Sequence, residues 1–383
     1  MDADVIVIGC GTMGSFTLWR LASRGVKALG IEQFEPGHDR GSGHGESRII
    51  RTASFEGANY VPLVQSAFGL WRELEEETGA SLLTVTGGLM IGRPDSSLIE
   101  GTIRSFHDHG LAHDVLQNAE LSERYPQHAL EKGEVAVCEE EAGVLRPERS
   151  IETAAHRAED LGARLLRNTT VERLRETSDG VEVEAGGRTY RARRAVVTAG
   201  AWTEKLLDLG LPLVVERQVL AWFAAEEPDL YTPERFPICI HQQDGWEWYV
   251  FPSLDGATVK AAVHHHGQTA DPDSLDREVK PEDVEPVSRL VGRGLRGLRK
   301  TPVRAQVCMY TNTPDEHFLV GPVPGLERVV MLGGFSGHGF KFAPIMGEIA
   351  ADLSLQGETE HPIEQLSLAR FAGNAAAGST VTE

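Results

Sequence analysis

The sequence predicts an α/β protein, α+β overall, in which a wound unit of strands and helices is joined to a second region built on an antiparallel sheet. Three observations predict it. Asp4 to Ile8 is a short apolar strand that runs into Gly9-Cys10-Gly11-Thr12-Met13-Gly14, a helical run to Arg24, and a second apolar strand from Val26 to Ile31 that closes on Glu32. Strand, glycine turn and helix recur near the other end, at Val329 to Leu332, Gly333 to Lys341 and about Phe342 to Leu353. Between Pro212 and Val307 the texture changes to alternating strands, which suits an antiparallel sheet packed on one face.

The first unit carries chemistry as well as fold. Gly9 permits the turn, Gly11 lets the backbone approach a pyrophosphate, and Gly14 lets helix close on strand. Free amides at the helix start, at Thr12 and Met13, then face two phosphates. Glu32 is placed to accept hydrogen bonds from the adenosine ribose. An acid there disfavours a 2′-phosphate, so NADP is the poorest candidate, while the motif alone does not separate FAD from NAD.

Composition narrows the class. The 383 residues are 41% hydrophobic and 25% charged, a globular balance that suits two domains. Asp plus Glu number 57 against 37 Lys plus Arg, a formal charge of -20 that argues against nucleic acid as a partner. No leader precedes the first strand, and no apolar run approaches the roughly 20 residues a membrane helix needs. Cys10, Cys138, Cys239 and Cys308 lack zinc-like or disulfide-dense spacing, which places the chain in a reducing cytoplasm.

The remaining elements follow in order. Gly37 to Gly45 is too glycine-rich and polar for a regular element. Arg48 and Arg51 come next; three apart, they share a face on a helix and suggest an anionic partner. Tyr60 to Glu77 is a helix on the spacing of Leu63, Ala67, Leu70 and Leu74, capped by Gly79. Strands surround Gly87-Gly88, Ser96 to His109 is a helix closed by Gly110, Leu121 to Tyr125 is a short helix stopped by Pro126, and Val135 to Cys138 is a strand. Gly143 to Pro147 reads as a turn, and Ser150 to Leu161 as a helix ended by Gly162. Strands follow at Ala163 to Leu166, Thr170 to Arg175, Val181 to Ala185 and Thr189 to Val197. The last runs into Thr198-Ala199-Gly200 and a helix start at Ala201-Trp202, where a second segment can pass close to the nucleotide. Glu216 to Trp222, Trp246 to Phe251 and Thr258 to His264 are the strands of the second region; Trp246 to Tyr249 alternates sides, so one aromatic set packs and the other lines a pocket. Cys308 to Phe318 reads as a loop before a strand at Phe318 to Val320, and the chain frays after Phe371.

Residue type marks three chemical candidates: Arg48 with Arg51; Tyr249, Lys260 and His264; and His338 with Lys341. Lys260 sits among apolar residues, where burial loosens its proton. His264-His265-His266 does not make a metal site, because neighbours on a strand point to opposite faces and no Asp or Cys stands at ligand spacing. A Gly-x-Ser-x-Gly elbow is missing. A nucleotide cofactor plus basic residues for an acidic substrate make oxidoreduction the economical account.

Over essentially its whole length, Asp4 to about Phe371, the chain resembles the monomeric sarcosine oxidase family, with its relative N-methyltryptophan oxidase, in the glycine and D-amino-acid oxidase superfamily of FAD enzymes. The resemblance rests on the Gly9-Gly11-Gly14 turn, Gly41 to Arg51, Cys308-Met309-Tyr310, Thr313 to Glu316, and Gly334 to Phe342. It implies a Rossmann-type FAD-binding domain from 1–85, 145–212 and 322–371, a substrate domain from 86–144 and 213–321, and a frayed tail at 372–383. It implies FAD attached to Cys308 through the 8α-methyl carbon. Gly41, Ser42, His44, Val171, Gly200, Trp202, Gly337, Gly339 and Lys341 join the glycine turn and Glu32 in holding the cofactor. Arg48 lies beside the flavin, Arg51 and Lys341 grip the substrate carboxylate, Lys260 acts in oxygen activation, and His264 lies near the substrate amine. Tyr249, Tyr310, His338 and Ile240 line the same cavity.

The implied reaction is oxidative demethylation of sarcosine or a related N-methyl or cyclic secondary amino acid by molecular oxygen and water, giving the amino acid, formaldehyde and hydrogen peroxide, in a protein monomer. N-methyl-L-tryptophan and pipecolate or proline are alternative substrates, and an NAD-linked dehydrogenase is the alternative from another class. Thr52-Ala53-Ser54-Phe55-Glu56, Ile240 and His265-His266 depart from the sarcosine pattern and leave pocket size open.

Overall fold

A computed structural model of the protein describes residues 1–371; the expected frayed tail, 372–383, lies outside the described residues. The first sheet has six strands in the order Leu319–Val323, Leu326–Gly333, Arg194–Val197, Val5–Ile8, Ala28–Ile31 and Arg164–Leu166. All neighbours are parallel except the edge hairpin 319–333. Alternation along the central strand sorts its side chains to two covers. Val5 and Val7 face a layer with Phe16, Trp19, Trp71, Ile151 and Ile349 from the flanking helices. Ile6 and Ile8 face the three-stranded sheet Val171–Thr177, Gly180–Ala185 and Arg188–Ala192, packing with Val181 and Val183. A parallel sheet buried on both faces needs such continuous apolar strands.

The second sheet has eight strands in the order Arg304–Asn312, Val214–Ala224, Thr258–His264, Trp246–Val250, Ile238–Gln243, Gly88–Gly92, Val135–Glu139 and Asp114–Leu116. One pair, Ile238–Gln243 with Gly88–Gly92, is parallel; the rest are antiparallel. Helix Pro281–Gly294 covers one face through Val287, Leu290 and Val291, packed on Trp248, Val250 and Cys239. The opposite face carries Leu220, Trp222, Ala262, Cys308 and Tyr249.

Three expectations are corrected. Arg48–Arg51 is a strand, not a helix, paired with Ala142–Leu145 in a small sheet that Leu83–Val85 completes. Ile49 and Ile50 between the arginines suit a strand, and the partner supplies the ladder; that partner includes Gly143 to Leu145, expected as a turn. Cys308 is likewise in a strand rather than a loop: Arg304–Asn312 pairs with Val214–Ala224, setting Cys308 opposite Gln218. The turn residues of that stretch, Thr313-Pro314-Asp315, follow the strand instead of filling it.

Candidate active site

The two sheets meet at two adjoining cavities. The larger, about 390 Å³, is lined by Gly9, Gly11, Thr12, Met13, Glu32, Gly41, Ser42, Arg48, Val171, Gly200, Trp202, Gly337 and Gly339, all expected at the cofactor. The smaller, about 70 Å³, is lined by Arg51, Ile240, Tyr249, Cys308, His264, His338 and Lys341. Arg48, Tyr310, Gly337 and Phe340 border both.

The glycine turn fits a nucleotide cradle. Gly9 has φ +84°, and a Cβ on Gly14 would fall 1.8 Å from the Gly9 carbonyl oxygen. Only glycine at 14 lets helix Thr12–Ser23 start against the end of strand Val5–Ile8. Glu32, at the end of the neighbouring strand, accepts from the Cys10 N–H (2.7 Å) and the Phe34 N–H (2.9 Å), and burial raises its pKa. Its carboxylate is thus oriented at the cavity wall, the chemistry that recognises vicinal hydroxyls. Glu148, at the start of helix Pro147–Asp160, accepts the Gly45 N–H (2.6 Å) and Glu46 N–H (3.1 Å) and so orders the Gly41 to Ser47 loop.

Cys308 lines the smaller cavity, beside Arg48, which borders both. Burial pushes its thiol up, but His44 and then Arg48 outweigh that and bring its pKa down to about 7. Arg48 Nη2 stands 3.8 Å from Sγ and also donates to the Ser42 carbonyl at 2.7 Å. His44 is therefore near the expected centre, against the thiol rather than on the wall of the larger cavity.

The small cavity concentrates charge. Arg51, 1% exposed, donates to Glu56 at 2.6 Å and to the Ala53 carbonyl, with Phe55 under its guanidinium. Lys341 donates to the His338 carbonyl at 3.0 Å and lies 3.8 Å from Glu56. Burial lowers the Lys341 pKa to about 8, with Glu56 opposing. Glu56 is buried too, but Arg51 and Lys341 hold it well below the usual carboxylate range. Burial lowers His264 and His338, so both imidazoles are neutral at pH 7. His264 Nδ1 is 3.3 Å from the Tyr310 hydroxyl.

Lys260 lies behind the cavity walls. Its ammonium donates to the Gly45 and Ser47 carbonyls (2.7 and 2.8 Å) and to Ser47 Oγ (3.1 Å), while burial and then Arg48 press its pKa down. Its neighbour toward the cavity is Gly45, whose added Cβ would lie 3.6 Å from Nζ.

Two cavity carboxylates escaped the residue-type reading. Glu56 appears in the sequence only as part of a motif, five residues after Arg51. Glu247 stands two residues from Tyr249 on strand Trp246–Val250, so the two point to the same side while Trp248 enters the core. Burial, then Glu56, raises Glu247 to about 7, and it has no ion-pair partner among the described residues. Strand alternation was the signal that could have found it.

Comparison with known proteins agrees with this geometry. The family described as DAO, FAD dependent oxidoreductase, matches residues 4–353. The chain is 41% identical over 375 residues to the monomeric sarcosine oxidase of Streptomyces avermitilis, covering 96% of this chain and 98% of the relative. It is 34% identical over 378 residues to the N-methyl-L-tryptophan oxidase of Yersinia pestis, covering 97% and 100%. Among solved structures, NikD, an unusual amino acid oxidase essential for nikkomycin biosynthesis, superposes with TM-score 0.84 at 25% identity over 95% of this chain and 97% of that one. L-proline dehydrogenase from P. horikoshii shares the fold, with TM-score 0.82 at 22% identity over 97% of this chain and 98% of that one.

Proposed function

The chain belongs to the FAD dependent oxidoreductase (DAO) family, close to the monomeric sarcosine oxidases, and from that premise we propose that it oxidises an N-methyl or cyclic secondary amino acid, with sarcosine as the reference substrate. That it is an FAD-dependent oxidoreductase of amines or amino acids follows from the family itself. Oxygen and water are the co-reactants: sarcosine, oxygen and water give glycine, formaldehyde and hydrogen peroxide. The observation that carries the substrate reading is the Arg51, Lys341 and Glu56 cluster in a cavity sharing Arg48, Tyr310, Gly337 and Phe340 with the nucleotide cradle. Two cations against one carboxylate leave a surplus positive charge for a substrate carboxylate.

FAD, when bound, would supply the electron acceptor for the amine and the site of reaction with oxygen. The protein's own residues have the remaining tasks. Arg51 and Lys341 orient the carboxylate, while Ile240, Tyr249, Tyr310, His264 and His338 enclose the amine end. Neutral His264 does not repel the ammonium form of the substrate and keeps a ring nitrogen able to accept its hydrogen bond. Cys308, whose thiol pKa His44 and Arg48 bring down to about 7, is the attachment point for the flavin. Residues 1–85, 145–212 and 322–371 form the cofactor side and 86–144 and 213–321 the substrate side; strand Leu319–Val323 crosses the 321/322 boundary. The protein works as a monomer in the cytoplasm. Among the described residues, no helix is long and apolar enough to cross a membrane.

One sample tests both halves of the reading. The purified protein is precipitated in acid, and native protein is mixed in air with sarcosine, N-methyltryptophan, pipecolate and an N-methyl amino acid bearing a cationic side chain. Flavin colour is expected in the pellet and lost from it in Cys308→Ser, and peroxide is expected from sarcosine. Colour in the supernatant would remove the attachment role of Cys308; silence with all four substrates would remove the oxidase reading. The cationic substrate reads Glu247: a preference for it over sarcosine that is lost in Glu247→Gln would assign side-chain selection to this carboxylate.

A further inference from the structure

We propose a transition-metal site, best suited to Zn²⁺, built from His128, Cys239 and His241 on the packed face of the eight-stranded sheet. Cys239 and His241 alternate with Ile240 on strand Ile238–Gln243. Ile240 walls the small cavity, so the other two point to the opposite face, under helix Pro281–Gly294. His128 reaches the same place from the turn after helix Asn118–Arg124. That turn is pinned there by a bridge between His128 and Leu295 and by the Ala129 N–H donating to the Gly294 carbonyl at 2.9 Å. One ligand atom from each of the three residues lies within 4.8 Å of the other two.

The second observation is what these side chains lack. His128 is 1% exposed and Cys239 and His241 are 0%, yet neither nitrogen of either imidazole has a hydrogen-bond partner. A neutral imidazole carries one N–H and one lone pair, and buried cores rarely leave both unmet, let alone in two rings side by side. The rings are held by stacking: His241 on Trp248 at 4.0 Å and His128 on Phe236 at 5.0 Å. Rings fixed by aromatic faces, with free lone pairs beside a thiol, are arranged as ligands rather than as packing.

The donor set selects the ion. Two imidazoles and a sulfur suit zinc or monovalent copper and do not suit magnesium or calcium, which prefer oxygen. On binding, Cys239 releases its proton to solvent and the thiolate forms the metal–sulfur bond, so the +2 ion and one thiolate leave a single net positive charge. The Gln127 side-chain oxygen and the Trp248 indole N–H are also buried without partners. They are the acceptor and donor types that a ligating imidazole's second nitrogen and a metal-bound water use. The ion would tie the 128 turn to the strand behind Ile240, a structural staple outside the oxidation chemistry. Sequence spacing hides it, because His128 is far from the other two ligands in the chain.

The test uses untagged holoenzyme from zinc-supplemented growth, gel-filtered and analysed for metals against chain concentration, with an X-ray absorption spectrum at the metal edge. About one zinc per chain is expected, with one sulfur at about 2.3 Å and nitrogens at about 2.0–2.1 Å. Stoichiometric copper with the same sulfur shell supports the site with the other soft ion. His128→Gln and Cys239→Ser are expected to weaken zinc binding at least roughly 100-fold, since even the loss of an outer partner costs 10- to 100-fold. Far less than one ion per chain, or a shell of nitrogen and oxygen without sulfur, overturns the proposal; the wild-type spectrum decides it even where a variant does not fold.

Discussion

At the scale of single residues, the site is a contest between burial and neighbouring charge. Lys260 is surrounded by three oxygen acceptors that take all three protons of an ammonium, and these hold it in place as burial presses its pKa down. A proton that these acceptors hold on Lys260 would place positive charge behind Gly45, where it stabilises negative charge developing on oxygen. Lys260→Met is therefore expected to slow flavin reoxidation by roughly 10²- to 10³-fold, as loss of one preorganised donor does. Stopped-flow mixing of the reduced variant with oxygen checks this, and unchanged reoxidation would sink the role. Lys341 makes a pH-dependent prediction. Its pKa is depressed to about 8, so it is charged below that pH and neutral above it. Affinity for a carboxylate substrate should hold steady up to about pH 8 and fall beyond it. In Lys341→Met the alkaline fall should vanish, while KM is raised roughly 10- to 150-fold at every lower pH, the equivalent of about 1.5–3 kcal/mol for a hydrogen bond to a charged group. A variant that keeps the alkaline fall would assign it to another group.

At the scale of elements, close helix packing sets the frame around the nucleotide. Helix Ala343–Leu355 crosses helix Thr12–Ser23 at Gly347, where a Cβ would lie 2.6 Å from the Phe16 carbonyl group and 2.9 Å from the Thr17 nitrogen. Both are backbone and cannot swing aside. Gly347→Val is expected to cost at least about 1–3 kcal/mol, as overpacking does, read from urea midpoints of the holoenzyme. Gly69 gives the opposite sign: it is exposed within helix Val61–Thr78 and a Cβ there meets nothing within 4 Å. Gly69→Ala should stabilise by about 0.5–1 kcal/mol, because it only restricts the unfolded chain and favours the helix. Equal effects at the two positions would contradict the packing. Periodicity made these helices legible in advance. The arginine pair was misplaced, because a three-residue spacing is helical evidence only when the residues between fit a helix, and Ile49-Ile50 fit a strand.

At the scale of the molecule, the cofactor cavity is a seam. Its walls come from the six-stranded sheet at Ile8 and Ile31, the three-stranded sheet at Val171, and the eight-stranded sheet at Tyr310 and Thr311. A ligand in it binds only the assembled fold and so stabilises that fold by mass action. With FAD attached through Cys308 as proposed, added FAD is expected to leave the wild-type melting temperature unchanged. In Cys308→Ser it should raise melting in a concentration-dependent way, by about 2.7 kcal/mol at a hundredfold excess over Kd. Melting that ignores added FAD in the variant would mean that the seam does not hold the cofactor.

What the sequence determined by itself was local: the glycine turn and its acid, the apolar strands, most helices with their caps, and the residue types able to meet a flavin and a carboxylate. Resemblance over almost the whole chain then named the family. Tertiary structure decided which of these residues share a cavity. It placed Lys260 behind the wall instead of on it, set Cys308 on a strand between His44 and Arg48, brought Glu56 against both Arg51 and Lys341, and turned Glu247 inward. It also brought His128 to Cys239 and His241. The physical reason is that these encounters depend on strand register and sheet order across distant segments, and burial and charge act on a side chain only after those segments have met.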